Sequence, residues 1–177
     1  MFRKVLVHPN KSLRAANALI EDVVSQKELI QDLIDTCNVK MGAGLAAPQI
    51  GISKQLAIIK LSEESDRYPD MEDSESFVIF NPKISVLDEN EQGFWEGCLS
   101  VPGLRGFVER PRSIRVDYLD ENAESVYIEV EDFLATVFQH ELDHLIGKLY
   151  VDRMKDITSL TFEDEMIFEK LEEEVLD

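Results

Sequence analysis

Two histidines and a glutamate lie close together late in the chain, in residues 139–145, which read Q-H-E-L-D-H-L. On a helix, residues i and i+4 share a face about one turn apart. His140 and His144 can therefore bind the same metal ion, with Glu141 beside it. This is the H-E-x-x-H arrangement, in which two histidines hold a catalytic metal and the glutamate moves protons. The pattern predicts a metal-dependent hydrolase.

The surrounding residues favour a helix for this segment. Asp132 is the predicted N-cap of the helix, and Gly147 is its predicted C-terminal stop. Apolar residues upstream continue one side of the same helix: Phe133, Leu134, Val137 and Phe138. The histidines are thus expected on a helix that faces the core, not on a loop.

The third protein ligand of the metal has several candidates. Catalytic zinc-type sites commonly have three protein ligands and one open position, so two histidines are not enough. One protease pattern extends to H-E-x-x-H-x-x-G-x-x-H, but its last position here is Tyr150, which excludes that version. Another protease pattern takes a glutamate from a later helix, and Glu163 or Glu165 fits that description. Cys98 is the competing candidate, because its thiolate would complete a Cys-His-His set.

Composition limits the class of protein. The 177 residues, 44% of them apolar, suit one domain spanning residues 1–177. No apolar run is long enough for a membrane span and the start of the chain has no signal-peptide core, so we expect a cytoplasmic protein that does not bind membranes. Of the net charge of −18, residues 62–76 contribute −6 and residues 161–177 contribute −7. This distribution indicates solubility, and the lack of a basic stripe argues against direct binding of nucleic acid.

The order of predicted elements indicates the fold class. Ser25 begins a capping-box pattern, S-Q-K-E, and apolar residues follow it at helical spacing up to Cys37. Short strands are predicted at 55–61, 77–80, 83–87, 94–95, 113–119 and 125–130, with Asn81-Pro82 as a strand stop, and a further helix at 162–176. We therefore expect an α+β fold, with mostly antiparallel sheets around a central metal-binding helix and with an N-terminal and a C-terminal helix.

Three segments together resemble a known family. Residues 42–49 read G-A-G-L-A-A-P-Q, residues 96–100 read E-G-C-L-S, and residues 139–145 form the third segment. In this order and spacing they resemble the three signature motifs of peptide deformylases, and the similarity spans nearly the whole chain. The resemblance implies an enzyme that removes the formyl group from the N-terminal formyl-methionine of newly made proteins and releases formate.

The resemblance also implies a metal and its ligands. In that family the cysteine and the two histidines of these motifs bind one divalent metal ion, here Cys98, His140 and His144. The metal in the cell is often Fe(II), with zinc, nickel or cobalt as substitutes. Glu141 then takes a proton from water and passes it to the leaving amine.

Further site residues follow from the same motifs. The family pattern implies that the Gln49 side-chain amide and the Leu99 backbone N–H stabilise the oxyanion, and that Gly44 belongs to the same catalytic group. Gly44 has no side chain, so the backbone can approach another group closely there. A methionine pocket and a residue near the bound peptide, Arg105, are also implied. The predicted pocket walls are Ala43, Phe94, Phe133, Thr136 and Val137.

The resemblance also implies which molecules the protein meets. The expected partners are N-formyl-methionyl nascent peptides. Some bacterial family members dock on the ribosome through a basic C-terminal helix, but residues 161–177 are acidic here, so any transient ribosome contact must use another surface. Two alternatives are an H-E-x-x-H endopeptidase that uses Glu163 or Glu165, and a non-catalytic relative that binds metal or peptide.

Overall fold

The structure, a computed structural model, describes residues 1–60 and 76–166. Within them it has two α-helices, and residues 163–166 form one further helical turn. The remainder of the predicted C-terminal helix, residues 167–176, lies outside the described residues. The elements are α1 (Lys27–Lys40), β1 (Gly44–Ala46), β2 (Leu56–Lys60), β3 (Ser76–Cys98), β4 (Val101–Leu119), β5 (Ser125–Glu131), α2 (Asp132–Leu145) and β6 (Thr161–Phe162).

The strands form an antiparallel sheet in the order β1-β2-β3-β4-β5. The short strand β6 adds to β4, with Leu104 opposite Phe162 and Arg105 opposite Thr161. The expected α+β class with mostly antiparallel strands is confirmed. Within residues 1–60 and 76–166, neither α1 nor α2 has the length and hydropathy of a membrane-spanning segment.

Helices cover both faces of β2, which explains its continuous apolar sequence. Successive side chains of a strand point to opposite faces. Ala57 and Ile59 belong to the core cluster that includes α2, whereas Leu56 and Ile58 belong to the cluster that includes α1. Helix α2 buries one face in the first cluster, and its members there are Leu134, Ala135, Phe138, Leu142 and Leu145.

Both predicted helix starts differ from the structure. Ser25 is not the N-cap of α1, because residues 24–26 form a 3-10 turn in which the Ser25 hydroxyl donates to the Asp22 carbonyl at 3.1 Å. Helix α2 has Glu131 as its N-cap, and Asp132 is its first residue. The Asp132 carboxylate instead accepts a hydrogen bond from Arg112 Nε at 2.7 Å. The predicted stop is confirmed, since α2 ends at Leu145 and Gly147 has a positive φ of 71°.

The strands are longer than the pattern indicated. Asn81-Pro82 does not end a strand. The pairing of β3 with β4 shifts register between Phe80 and Lys83, and Asn81 has a φ of 49°, so the strand continues past a bulge. The Asn81 side chain makes two hydrogen bonds with the backbone of Ile20. It accepts from the Ile20 N–H at 2.9 Å and donates to the Ile20 carbonyl at 2.8 Å. The first half of β4 was not predicted.

The packing of α1 against the core leads to a prediction about stability. Leu33 is fully buried on α1, whereas Val39 on the same helix is 61% exposed. Leu33→Ala should lower the free energy of unfolding by about 2–5 kcal/mol, because it leaves a cavity in the core. Val39→Ala should change it by less than about 0.5 kcal/mol. Urea denaturation of both variants measures the difference, and equal effects would contradict the packing described above.

Candidate metal centre

Helix α2 presents a polar face opposite the face that packs in the core. His140, Glu141 and His144 lie on it at positions i, i+1 and i+4. Glu141 is 7% exposed and His144 is 1% exposed, so these polar groups are nearly withdrawn from water. The Asn17 side chain supports the end of this helix by donating to the carbonyl oxygens of His144 and Leu145 at 3.2 and 2.9 Å.

Cys98 reaches this face from the turn between β3 and β4, where it pairs with Val101. Its Sγ lies 3.4 Å from His144 Nε2. One ligand atom each from Cys98, His140 and His144 falls within 4.8 Å of the others. Of the candidates for the third ligand, Cys98 is therefore the one that meets the histidines.

The cluster fits a divalent metal of the zinc or iron type. Tetrahedral coordination with bonds of about 2.3 Å to sulfur and about 2.0 Å to nitrogen places those two atoms about 3.5 Å apart. The observed Sγ to Nε2 distance of 3.4 Å agrees with this value. A thiolate with two imidazoles is a donor set for such transition metals and not for magnesium or calcium.

The glutamates of the endopeptidase alternative lie elsewhere. Glu163 Oε1 accepts a hydrogen bond from Arg105 Nε at 3.1 Å and also contacts Arg105 Nη2. Glu165 is exposed. Neither residue belongs to the cluster of metal-binding type found in the described ranges. This geometry argues against the alternative in which Glu163 or Glu165 completes the site.

A buried ionic network holds the cluster in place. Glu96 on β3 faces His140 Nδ1 at 2.7 Å and accepts hydrogen bonds from Arg110 Nε and Nη2 at 2.6 and 3.1 Å. Arg110 on β4 also donates to Asp143 on α2 at 2.8 Å, and Arg153 binds the same carboxylate. Because Nδ1 of His140 is used by Glu96, the orientation of the ring leaves Nε2 for a metal.

No motif in the sequence points to a role for Glu96, Arg110 or Asp143. The signal that could have found Glu96 is its place two residues before Cys98, since residues i and i+2 of a strand share a face. Asp143 lies inside the H-E-x-x-H segment and is only 6% exposed. Arg110 lies in a part of β4 that was not predicted, and its neighbours give no comparable signal.

Glu141 has the environment of a proton carrier. Its Oε2 is buried and has no hydrogen-bond partner within the described part of the chain. Burial raises the pKa of the Glu141 carboxyl to about 7, while the charge of His140 opposes this rise and the charge of Glu96 adds to it. A carboxyl group with a pKa near neutrality can both accept and release a proton at physiological pH.

The pKa of His140 is raised, whereas the pKa values of His144 and Glu96 are lowered. Burial would lower the pKa of His140, but hydrogen bonds with Cys98 and Glu96 raise it well above its ordinary value. Burial and the charges of His140 and Arg110 lower the pKa of His144 well below its ordinary value. Burial would raise the pKa of Glu96, but hydrogen bonds from His140 and Arg110 hold it below the ordinary value. Glu96 is therefore a carboxylate at neutral pH.

Gly44 and Gln49 complete the site from the other side. A Cβ on Gly44 would lie 2.6 Å from Cγ and Cδ of Glu141, so only glycine leaves room for that side chain. Gln49 Oε1 accepts from the Ala46 N–H at 2.8 Å. This bond directs the amide nitrogen of Gln49 toward Cys98 Sγ at 3.6 Å and Ser100 Oγ at 3.2 Å.

A cavity of about 620 Å³ opens in front of the cluster. The predicted site residues that line it are Ala43, Gly44, Gln49, Cys98, Leu99, Arg105, Phe133, Thr136, Val137, His140 and Glu141. Two predicted residues lie behind this lining in the described structure. His144 is buried beneath it, and the Phe94 ring packs edge-on against Phe133 with 5.2 Å between centroids. Phe94 thus contacts a residue of the lining, and its place in the methionine pocket stays a prediction.

The fold and the site together define an α+β protein with a Cys-His-His metal-type cluster and a buried carboxylate. A family model described as polypeptide deformylase matches residues 2–159. The chain is 44% identical to the peptide deformylase of Leptospira biflexa serovar Patoc over 161 residues, which cover 86% of this chain and 88% of that protein. It is 41% identical to peptide deformylase 2 of Pseudomonas syringae pv. tomato over 170 residues, 94% of each.

Solved structures agree. The crystal structure of a peptide deformylase from Legionella pneumophila matches with a TM-score of 0.77 and 38% identity, over 98% of this chain and 95% of that chain. The chain belongs to the peptide deformylase family, and it is an enzyme with that family's activity. The non-catalytic alternative is therefore not retained.

The buried network yields a prediction that does not depend on catalysis. Glu96→Gln should lower the free energy of unfolding by about 3 kcal/mol, because the buried Arg110 loses the negative charge of its partner. It should also weaken metal binding by about 10-fold to 100-fold, since His140 loses the group that orients it. Urea denaturation and competition with a metal chelator measure the two effects.

A matched control lies on β4. Glu109 is 43% exposed and pairs with Lys155 at 3.3 Å. Glu109→Gln should cost less than about 1 kcal/mol and leave metal affinity unchanged. Equal metal affinity in Glu96→Gln and the wild type would refute the orienting role of Glu96.

Proposed function

We propose that the protein hydrolyses the N-formyl group of N-terminal formyl-methionine on newly synthesised proteins and releases formate. The observation that supports this most is the convergence of Cys98, His140 and His144 within 4.8 Å, with buried Glu141 next to them. The similar proteins of Leptospira biflexa and Pseudomonas syringae are both named peptide deformylases. We also propose that residues 1–177 form one domain, with α2 as its metal-binding helix.

Cys98, His140 and His144 would hold one divalent metal ion. We propose Fe(II) in the cell, with zinc, nickel or cobalt in a preparation. When bound, such an ion supplies Lewis acidity that activates water and polarises a carbonyl group. Glu96 fixes the His140 ring through Nδ1, which leaves Nε2 of that ring for the ion.

Glu141 moves the protons in this proposal. Its Oε2 accepts a proton from the attacking water and then gives it to the nitrogen of the departing methionyl amine. Glu141 is buried beside the cluster and lines the cavity, so its carboxylate is placed to take part in both transfers. The carbon–nitrogen bond of the formamide breaks, so the products are formate and a free α-amine.

Gln49 and Leu99 are the proposed oxyanion donors. Gln49 is suited to this role because its oxygen is held by the Ala46 N–H, which leaves the NH₂ group facing the site. The Leu99 backbone N–H follows Cys98 directly and lies in the same cavity wall. Donors positioned before the reaction stabilise developing negative charge without reorganising, and losing one such donor typically costs about 10²-fold to 10³-fold in rate.

The cavity supports selection for a formyl-methionyl end. Ala43, Phe133, Thr136 and Val137 line it and are the proposed methionine pocket, with Phe94 behind Phe133. Glu141 fills the space that Gly44 leaves, so the region beside the metal ligands is narrow. Formyl is the smallest acyl group, and a narrow site discriminates against longer acyl groups. Arg105 is the proposed contact for the peptide backbone beyond methionine.

We propose that the enzyme meets nascent chains in the cytoplasm, where protein synthesis supplies formylated ends. Any transient contact with the ribosome would use a surface other than residues 161–177, whose net charge of −7 would be repelled by ribosomal RNA. Direct binding of nucleic acid or of a membrane is not part of the proposal.

Two substitutions separate metal binding from turnover. Cys98→Ala should lose the metal and with it formate release, whereas Glu141→Gln should keep the metal and lose about 10²-fold to 10⁴-fold in turnover, because the proton carrier is gone. Metal content by mass spectrometry and formate release from a formyl-Met-Ala peptide are measured on the same anaerobic preparations. Anaerobic handling is needed because a thiolate site with Fe(II) is readily oxidised.

Cys37→Ala is the matched control for the cysteine. Cys37 is fully buried on α1, and burial raises the pKa of its thiol to about 11, so it is not a metal-binding thiolate. The control should retain metal and turnover. Full metal content in Cys98→Ala would remove the ligand assignment, and wild-type turnover in Glu141→Gln would remove the proton carrier.

Gly44→Ala tests the space around Glu141. The new Cβ would overlap the Glu141 side chain at 2.6 Å, so the carboxylate must move. We expect turnover to fall about 10²-fold while the metal is retained, since a displacement of about 1 Å can cost that much. Gly42→Ala in the same loop is the control, because its Cβ would lie 3.2 Å from its nearest neighbours and should cost much less. Equal turnover in the two variants would contradict the close approach.

A further inference from the structure

An ion pair lies in the wall of the cavity in front of the metal cluster. Arg105 Nε donates to Glu163 Oε1 at 3.1 Å, and Arg105 Nη2 contacts the same oxygen. Both residues line the cavity, and their side chains are 39% and 44% exposed. A cation and an anion therefore both face the space that a peptide would enter.

Backbone pairing places Glu163 at this point. Strand β6 pairs with β4 so that Leu104 lies opposite Phe162 and Arg105 lies opposite Thr161. Glu163 is the next residue after this pairing. The β4 side of the pairing is itself supported, because the Tyr150 hydroxyl donates to the Leu104 carbonyl at 3.2 Å. The backbone pairing of β6 with β4 thus positions the Glu163 carboxylate next to Arg105.

Arg105 packs against Gly97, the residue that precedes the proposed metal ligand Cys98. A Cβ on Gly97 would come within 2.4 Å of Arg105 Nη1 and 2.7 Å of its Cζ, so the guanidinium packs directly over the Gly97 backbone. Gly97 precedes Cys98 in the chain. Arg105 and Cys98 line the same cavity, and an extended peptide advances about 3.3 Å per residue, so a peptide whose first residue is at the metal can bring its second or third residue to Arg105.

We propose that Glu163 is a specificity-determining residue that sets the charge preference of the enzyme for the peptide beyond methionine. This inference rests on the proposed function. Glu163 occupies the Nε and Nη2 side of Arg105, so an acidic side chain of the peptide must share or displace that carboxylate. Because Glu163 neutralises Arg105, an acidic side chain gains less from the guanidinium than it would without Glu163, and a basic side chain is repelled less. Glu163 therefore shifts the preference near the third position of the substrate away from glutamate and toward lysine.

The expected size of this shift is modest. Half-exposed charge pairs interact through a high effective dielectric, so Glu163 should change the lysine-to-glutamate ratio of kcat/KM by roughly three-fold to ten-fold. Added salt should reduce this shift, because the Debye length falls from about 30 Å at 0.01 M to about 3 Å at 1 M. Removing either partner should shift the preference, and the two shifts should have opposite signs.

The experiment compares three peptides that differ only at the third residue. Formyl-Met-Ala-Lys-amide, formyl-Met-Ala-Glu-amide and formyl-Met-Ala-Gln-amide have no free C-terminal carboxylate, so the third side chain is the variable charge. The kcat/KM ratio of the lysine to the glutamate peptide is measured by formate release with the metal-loaded wild type. The same ratio is measured for Glu163→Gln, Arg105→Gln and Asp164→Asn.

The expected results follow from the charges. Glu163→Gln should lower the lysine-to-glutamate ratio about three-fold to ten-fold, mainly through KM, and Arg105→Gln should raise it. Asp164→Asn changes the net charge by the same amount at an exposed neighbouring site, so its ratio should stay within about two-fold of the wild type.

The result that overturns the inference is distinct from failure of the proposed function. An unchanged ratio in Glu163→Gln, with formate release intact, would refute the role of Glu163 and leave the deformylase activity standing. Equal shifts in Glu163→Gln and Asp164→Asn would likewise refute it, since the effect would then reflect overall charge. Failure of the metal-loaded wild type to release formate from any of the three peptides would refute the proposed function itself.

Discussion

The buried carboxylate of Glu96 is the constraint on which the geometry of the site depends. It joins Arg110 of β4 to His140 of α2, and Arg110 in turn holds Asp143 one turn further along the helix. A buried charge that loses its partner costs several kcal/mol, so α2 cannot slide or rotate over the strands without leaving one of these groups unpaired. The network therefore fixes the helix relative to the β3–β4 turn, and with it His144 relative to Cys98.

Close approach of backbones explains how distant parts of the sequence meet at this helix. The loop that contains Gly44 can lie against Glu141 because no Cβ intervenes, and Arg105 can lie over Gly97 for the same reason. The N-terminal segment links two of the parts, since Leu6 N–H donates to the Gln49 carbonyl at 2.7 Å and His8 N–H donates to the Ser100 carbonyl at 2.8 Å. Substitution of the glycines would thus disturb the site without removing a reactive group.

Periodicity and residue chemistry predicted the elements whose signals are local. The helix with His140 and His144 was found because its apolar face repeats at 3.6 residues, and the α+β class followed from the order of elements. The capping-box pattern at Ser25 misplaces the start of α1, because Ser25 lies within a 3-10 turn and does not cap the helix. The first half of β4 was missed because Pro102 and Pro111 interrupt a strand pattern, although both lie within the long ribbon formed with β3.

The sequence predicts some residues of the site better than others. The residues alone left Cys98 in competition with Glu163 and Glu165, and only the resemblance of three motifs favoured the cysteine. The structure brings Cys98 to the histidines, but Glu96, Arg110 and Asp143 depend on contacts between β3, β4 and α2 that no single segment reveals. The roles of Gln49, Leu99 and the pocket residues stay predictions drawn from their positions around the cavity.

The central claim is that one sulfur and two imidazole nitrogens bind the same ion. X-ray absorption spectroscopy of the enzyme loaded with one equivalent of zinc or cobalt measures those ligands directly. The account predicts one sulfur at about 2.3 Å and two imidazole nitrogens at about 2.0–2.1 Å in the first coordination shell. A spectrum with only nitrogen and oxygen neighbours would show that Cys98 does not bind the metal, and would contradict the account.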